Sequence, residues 1–440
     1  MSLAFIGPTF RSLRIRNYRL FAAGQAVSNT GTWMQRVAQD WLVLELTHNN
    51  GSALGITTGL QFLPMLLFSM YGGMIADRYP KRRLLLMAQT SMAALALVLA
   101  VLDLTGAVQV WQVWALAFGL GLATAVDNPT RQSFVVEMVG PNDVPNAVGL
   151  NSATFNLARI VGPAIAGFLI TFVGTGPVFL INAASYVAVL TGIALMRDGE
   201  LFLTSTVARA RGQLREGLRY VRARPDLLLP IIIVGFVGTF GLNFQITIAL
   251  MSKEVFGRSA AAYGLLSTAL AVGSLTGALL AAKRGAPRQR LVVGAAIVFG
   301  VFEVVTGLMP TYVTFGLLLI PTGVFALTVS TAANASIQLA VSPAMRGRVM
   351  ALYLLVFTGG TPFGAPMIGW LAEAIGPRWS LLIGGAVSAA AAVIAASLLA
   401  RKRGLVVRAH ILPRPHVDVL PQATRDMPTP DHVVPGARAS

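Results

Sequence analysis

Twelve long apolar stretches constrain this chain more than any other feature. They run over about 18–46, 52–76, 84–105, 110–134, 145–173, 177–196, 228–252, 260–282, 291–309, 312–337, 347–372 and 379–400. A hydrocarbon core about 30 Å thick is spanned by roughly 20 helical residues, and most of these stretches reach that length. Backbone N–H and C=O groups in lipid find no water, and a helix pairs them within its own segment. A β-barrel is excluded, because its strands alternate polar and apolar residues over about ten positions. The predicted fold class is an all-α membrane protein with twelve transmembrane helices. Composition agrees: 55% of the residues are hydrophobic and 12% charged, where a soluble domain carries about 25% charged.

The charge balance at first points elsewhere. Lys and Arg number 34 against 17 Asp and Glu, a formal net charge of +17, which in a soluble chain suggests nucleic acid. Position decides the matter. With the N-terminus placed in the cytoplasm, 28 of the cations fall on inner segments and three (Lys253, Arg258, Arg378) on outer loops. This is the positive-inside pattern. The basic excess is therefore an orientation signal beside a lipid bilayer, and no nucleic-acid partner is expected. A multi-pass protein of the cytoplasmic membrane with both termini inside is predicted.

The longest interhelical segment divides the chain. The expected domains are a cytoplasmic N-terminus (1–17), a first six-helix bundle (18–196), a cytoplasmic linker (197–227), a second bundle (228–400) and a disordered tail (401–440). In the linker, Leu214, Leu218 and Val221 recur at helical spacing among Arg215, Arg219 and Arg222. This predicts an amphipathic helix, lying on the membrane surface or serving as an ordinary linker with a solvated basic face. The Pro-rich, polar tail lacks the apolar content to fold. The two halves also repeat weakly. Asn146–Leu169 aligns without a gap on Arg348–Leu371, placing Leu150 on Leu352, Phe155 on Phe357, Gly162 on Gly364 and Gly167 on Gly369. Parallel repeats of this kind build transporters with a site at the midplane between them.

Two motifs sharpen this reading. The loop after the second helix carries Gly73, Asp77, Arg78, Lys81 and Arg82 in the pattern G-x-x-x-D-R-x-x-K-R. The fifth helix carries Gly149, Ala158, Gly162, Pro163 and Gly167, small residues that allow close helix approach. Through these strings, and through Gly31–Arg36, Asp127–Gln132 and Met345–Val349, residues 15–400 resemble the major facilitator superfamily. The resemblance extends to its enterobactin-exporter-like and multidrug-efflux branch of bacteria. It implies two six-helix bundles related by a pseudo-twofold axis, a cytoplasmic gate built on the 73–82 loop, and an antiporter motif in helix 5. It also implies that the Asp77 side chain faces the start of helix 11, near Arg346–Arg348. The arginine often found near the start of helix 4 in proton-coupled members has no counterpart here, since Ala115 stands near that position.

A charge inside the hydrocarbon costs at least about 2.5–3.5 kcal/mol, so each needs a reason. Gln25, Asn29, Trp33, Arg36 and Asp40 fall on one face of helix 1. Arg36 with Asp40, and Asp127 with Arg131, form i, i+4 pairs, and Arg159 lies near the middle of helix 5. Each pair reads either as a structural ion pair or as a proton-coupling site whose acid changes proton affinity when its arginine moves. Asp40, Arg36, Asp127, Arg131 and Arg159 are the coupling candidates. Glu303, in helix 9, is ranked below them because the resemblance puts that helix outside the central cavity. The cavity candidates are Gln25, Asn29, Trp33, Ser152, Phe155, Phe236, Phe240, Asn243, Phe244, Asn334, Gln338, Tyr353 and Phe357. Their aromatic, sparsely polar character suits an amphiphilic organic molecule.

The chain has no cysteine, and three of its four histidines lie in the tail, so no metal or other cofactor is expected. No G-x4-G-K-[ST] loop occurs, which excludes that route to ATP. No nucleophile–base cluster suggests an enzyme. The predicted function is export of a small amphiphile (drug, siderophore or related metabolite) by alternating access, as a monomeric proton antiporter. The alternatives are an importer or uniporter and, further off, a non-transporting receptor.

Overall fold

The computed structural model describes residues 8–202, 213–285, 287–402, 405–410 and 416–421. After a short 3-10 turn over Pro8–Arg14, six helices form the first half. They are α1 (Arg16–Leu46), α2 (Gly51–Arg78), α3 (Lys81–Leu104), α4 (Val110–Val139), α5 (Val144–Val173) and α6 (Thr175–Ala194). The linker helix α7 (Gln213–Ala223) leads to the second half. There α8 (Pro225–Phe236) continues through a π-helical segment, Val237–Gly241, into α9 (Phe244–Leu250) and a second π segment, Met251–Val255. Next come α10 (Ala260–Lys283), α11 (Gln289–Leu308) and α12 (Tyr312–Ala340). The eleventh span is split into α13 (Pro343–Gly359) and α14 (Thr361–Ile375), and α15 (Pro377–Lys402) is the twelfth.

Eleven spans are long and apolar enough to cross a membrane by length and composition. The twelfth is α1, whose 31 residues rise about 46 Å at 1.5 Å each. Its row of Gln, Asn, Arg and Asp lowers its mean hydropathy, and that row meets protein: Gln25 accepts from Arg131 of α4, Asp40 from Tyr263 of α10, and Arg36 lies at an interior cavity.

Two spans expected to be continuous are broken, and the breaks touch. The freed carbonyls of Thr239 and Phe240 accept from the Asn243 side chain at 2.8 and 3.4 Å, which is how irregular backbone is tolerated at membrane depth. Gly360, where α13 gives way to α14, lies against Thr239. Broken helices meeting at midplane depth are a recurrent transporter feature.

The halves meet along two seams. In one, α5 packs on α10: a Cβ at Gly167 would sit 2.5 Å from the Ala260 carbonyl oxygen, and Gly264 abuts the Pro163 backbone. In the other, α14 packs on α2: Gly369 abuts Gly51, and a Cβ at Gly55 would lie 2.5 Å from the Ala365 carbonyl. Glycine is required at these positions because backbone meets backbone there. The repeat that pairs Gly167 with Gly369 thus reappears as two equivalent glycine seams. Both lie toward the face away from the N-terminus, along the first part of α2 and the last part of α5. On the face bearing the N-terminus, Gly149 of α5 meets nothing within 4 Å. The helix-packing role expected of Gly149 is therefore not realised in this conformation.

The linker helix docks on protein. Val221 is buried, Leu218 packs against the core of the second half, and Gly217 rests on the Arg348 backbone. Arg219 and Arg222 remain exposed, while the side chains of Leu214 and Arg215 lie outside the described residues. The described part of the apolar stripe, Leu218 and Val221, packs on the second half. The tail also departs from the expected disorder. Leu405–His410 and His416–Pro421 pair as two antiparallel strands, with Leu405 opposite Pro421. Apolar and polar residues alternate over Val407–His410 and His416–Val419, the period of two that a strand needs. The rest of 403–440 lies outside the described residues.

Candidate functional site

A cavity of about 410 Å³ opens between the halves. The first half contributes Trp33, Arg36 and Val37 from α1 and Arg159 and Pro163 from α5. The second half contributes Phe244, Gln245 and Ile248 from α9, a stripe on α10, Ala326, Leu327 and Ser330 from α12, and Phe357. The α10 stripe is Tyr263, Ser267, Leu270 and Ser274, spaced four, three and four apart, so one helix face supplies it. One wall is cationic and aromatic; the other is apolar with scattered hydroxyls.

The cations are held by an aromatic platform. The Arg36 guanidinium lies 4.6 Å from the Trp33 ring centroid and 5.9 Å from that of Phe62. Arg159 lies 5.7 Å from the same tryptophan ring, whose edge meets Phe155 at 5.7 Å. Arg36 Nε is buried without a hydrogen-bond partner, and neither arginine forms an ion pair among the described residues. The expected Arg36–Asp40 ion pair is thus corrected. Asp40, only 5% exposed, accepts a hydrogen bond from the Tyr263 hydroxyl at 2.7 Å. A helical i, i+4 spacing brings two side chains near each other, but Arg36 turns toward the tryptophan and Asp40 toward the second half. The Asp40–Tyr263 bond crosses the interface at the closed end of the cavity. Beyond it, Glu373 accepts from the Asn50 side chain at 2.8 Å and from the Ser52 backbone at 3.2 Å, both across the halves.

Asp127 belongs to a separate network within the first half. It pairs with Arg131 at 3.0 Å and accepts from Gln89 at 2.7 Å. Arg131 also donates to Gln25 at 3.0 Å and to Asn128 at 2.7 Å. Gln25 is thereby committed to this network and does not line the cavity. Glu303 is buried in α11 beside Gly241, Gly384 and Gly385, away from the cavity.

The remaining expected cavity residues divide. Trp33, Phe244 and Phe357 line it. Tyr353 stands behind the lining, stacked on Phe357 at 5.9 Å and donating to the Ser330 carbonyl at 3.1 Å. Asn243 caps the π segment as described, and Phe236 stacks on Phe240 at 6.0 Å. Asn334 and Gln338 bond each other at 2.6 Å. Asn29, Ser152, Phe155, Phe236, Phe240, Asn243, Asn334 and Gln338 therefore stand outside the lining of this conformation. Sequence reasoning overlooked Tyr263, Gln245 and Ser267. The regular spacing of Tyr263, Ser267 and Ser274 was the available signal.

The basic loop is tied down within the first half. Lys81 pairs with Glu137 at 2.6 Å, and Arg82 donates to the Ile193 and Ala194 carbonyls and pairs with Asp198. Gly73 is buried, and Arg78 is exposed. Arg348 pairs with Glu216 of the linker helix at 2.9 Å. In α5, Ala158 is buried and Gly162 lies against Trp33, where a Cβ would come within 2.6 Å of the tryptophan Cβ. The small residue at 162 is what lets the aromatic platform sit between α1 and α5.

Known proteins place this architecture. A family model described as transmembrane secretion effector matches residues 8–426. Macrolide efflux protein A of Streptococcus pyogenes is 24% identical over 85% of this chain and 94% of its own length. Multidrug efflux pump Tap of Mycolicibacterium fortuitum is 28% identical over 81% and 89%. The staphyloferrin A transporter of Staphylococcus aureus is 26% identical, but the match spans 58% of this chain and 64% of that protein. Among solved structures, a bacterial homolog of the human lysosomal transporter Spinster superposes with a TM-score of 0.68 at 15% identity, covering 88% of this chain and 96% of that one. A D-xylose–proton symporter gives 0.66 at 13%, covering 86% and 96%. With membrane-length spans in two halves around a cavity among the described residues, and a family match over nearly its whole length, the chain belongs to the transmembrane secretion effector family of the major facilitator superfamily: it is a multi-pass membrane transporter and not an enzyme.

Proposed function

We propose that this transporter exports an amphiphilic small molecule from the bacterial cytoplasm by alternating access, in exchange for protons. The observation that carries the reading is the cavity between the halves, sealed toward one face by two glycine seams and the Asp40–Tyr263 bond. The asymmetry of cations supports assigning the opposite, basic face to the cytoplasm. In that orientation the described conformation receives cargo from inside. Efflux functions named for two relatives that match most of this chain favour outward movement.

Coupling is assigned to Asp40. It is buried at the sealed end and touches the other half, so it is exposed to the far side only when the halves separate there. In the inward-open state the ionised carboxylate accepts from Tyr263, a charge-assisted bond stronger than a neutral one. Cargo binding between the halves offsets the loss of that bond as the seams part. A proton taken up by Asp40 on the far side removes the charge that the returning halves would otherwise rebury. Its release into the cytoplasm restores the bond and resets the cycle.

Inverted membrane vesicles test this. The probes are a macrolide, 1-pyrenebutyrate, its methyl ester and a pyrenebutyl-trimethylammonium isostere. Uphill accumulation that collapses with a protonophore is expected for at least one. Accumulation only in right-side-out vesicles would make the protein an importer. Binding with no flux in either orientation would make it a receptor.

A further inference from the structure

We infer that the cargo is an organic anion, an amphiphile whose carboxylate or comparable acidic group is clamped between Arg36 and Arg159. The inference deepens the export reading and rests on the same cavity. Two guanidinium groups face one tryptophan ring, at 4.6 and 5.7 Å from its centroid, so their central carbons lie within about 10 Å of each other. Neither forms an ion pair within 4 Å among the described residues, although the Asp40 charge still attracts Arg36 from farther off. The nearest carboxylate, Asp40, is bonded to Tyr263 and turned to the sealed end. Arg36 keeps a buried Nε–H without an acceptor at the cavity wall.

Two like charges at membrane depth repel each other and are costly without compensation. The ring platform returns only part of that cost. An entering carboxylate would answer both cations and give the Nε–H its acceptor; guanidinium matches it with paired, parallel hydrogen bonds. The opposite wall, formed by Phe244, Ile248, Leu270 and Phe357, suits the apolar body of the same molecule. A cationic amphiphile would meet Arg36 and Arg159 at the wall, with the nearby carboxylate of Asp40 already engaged by Tyr263. Exchange of a monoanion outward for a proton inward moves two positive charges inward per cycle. Its export therefore responds to membrane potential as well as to pH.

The test uses the full chain in lipid nanodiscs, titrated with 1-pyrenebutyrate and read by energy transfer from tryptophan, with empty nanodiscs subtracting partition into lipid. The acid is expected to bind at least tenfold more tightly than its methyl ester or the trimethylammonium isostere, a difference of about 1.4 kcal/mol. Arg36→Gln and Arg159→Gln should each bring the acid to within about twofold of the ester, while the lysine variants retain most of the preference. Equal binding of ester or ammonium by the unaltered protein overturns the proposal, and so does a tenfold preference that survives both glutamine changes. If a glutamine variant does not fold, the order of the three probes on the unaltered protein decides alone. The two readings fail separately. Proton-driven flux of the neutral ester without acid preference keeps export and removes the anion clamp. Acid preference that depends on both arginines, with no uphill flux of any probe, does the reverse.

Discussion

Asp40 and Asp127 look alike in the sequence and differ in the fold. Each is a buried carboxylate in the first half, four positions from an arginine. Asp127 keeps its arginine and adds Gln89, all inside one half. Asp40 does not pair with its arginine, which goes to the cavity wall, and bonds to Tyr263 of the other half. Under the proposed alternating access, a half that rocks as a rigid unit would carry the Asp127 network through the cycle unchanged. Of these two acids, only Asp40 bonds across the halves. The difference separates a group that holds a bundle from one that can report its motion.

The sharpest way to break this comparison is to neutralise each acid. Asp40→Asn is expected to abolish proton-driven flux in inverted vesicles, by about 100-fold or more, with normal membrane insertion. Asp127→Asn should retain coupled flux. Loss of coupling in Asp127→Asn, or wild-type flux in Asp40→Asn, would reverse the assignment. Stability provides the converse. Arg131→Ala leaves Asp127 buried without its cation and should cost about 3–5 kcal/mol, seen as a lowered melting temperature in detergent.

The seams give a third test. Leucine at Gly167 or Gly55 would drive a side chain into opposing backbone, so the sealed face should open. The sequence has no native cysteine, so single cysteines placed near Ser52 or Glu373 report that face by thiol labelling. Labelling should rise severalfold in either leucine variant. Tyr263→Phe should act in the same direction and more weakly, because it removes one hydrogen bond worth about 1.5–3 kcal/mol when the acceptor is charged. Smallest of all is the Arg348–Glu216 pair between α13 and the linker. It is partly exposed at both ends and contributes at most about 1 kcal/mol. Glu216→Gln should leave flux within about twofold.

Much of the architecture was legible in advance. Helix number followed from spans too apolar for water and too long for barrel strands. The repeat was visible as matched glycines, and the structure turns Gly167 and Gly369 into equivalent contacts at two seams. The site was only partly legible. Trp33, Arg36, Arg159, Phe244 and Phe357 could be picked out because charge or aromatic bulk within a lipid-length helix needs an explanation. Tyr263 could not be paired with Asp40 by spacing, because 223 residues separate them. Gln25, Asn334 and Gln338 looked like cavity residues for the reason that makes them good structural partners: a polar group at membrane depth must bond to something.

By itself, the sequence determined the class of protein, the count of spans and the asymmetry of charge between its faces. Those are properties of each segment against its solvent, set by length, apolarity and local charge. Tertiary structure alone decided which acid faces the interface, which arginines form no ion pair among the described residues, and which end of the cavity is sealed. Those depend on side-chain direction and on contacts between helices far apart in the chain, where hydrogen bonds and close backbone approach select one arrangement among many that the same spacing allows.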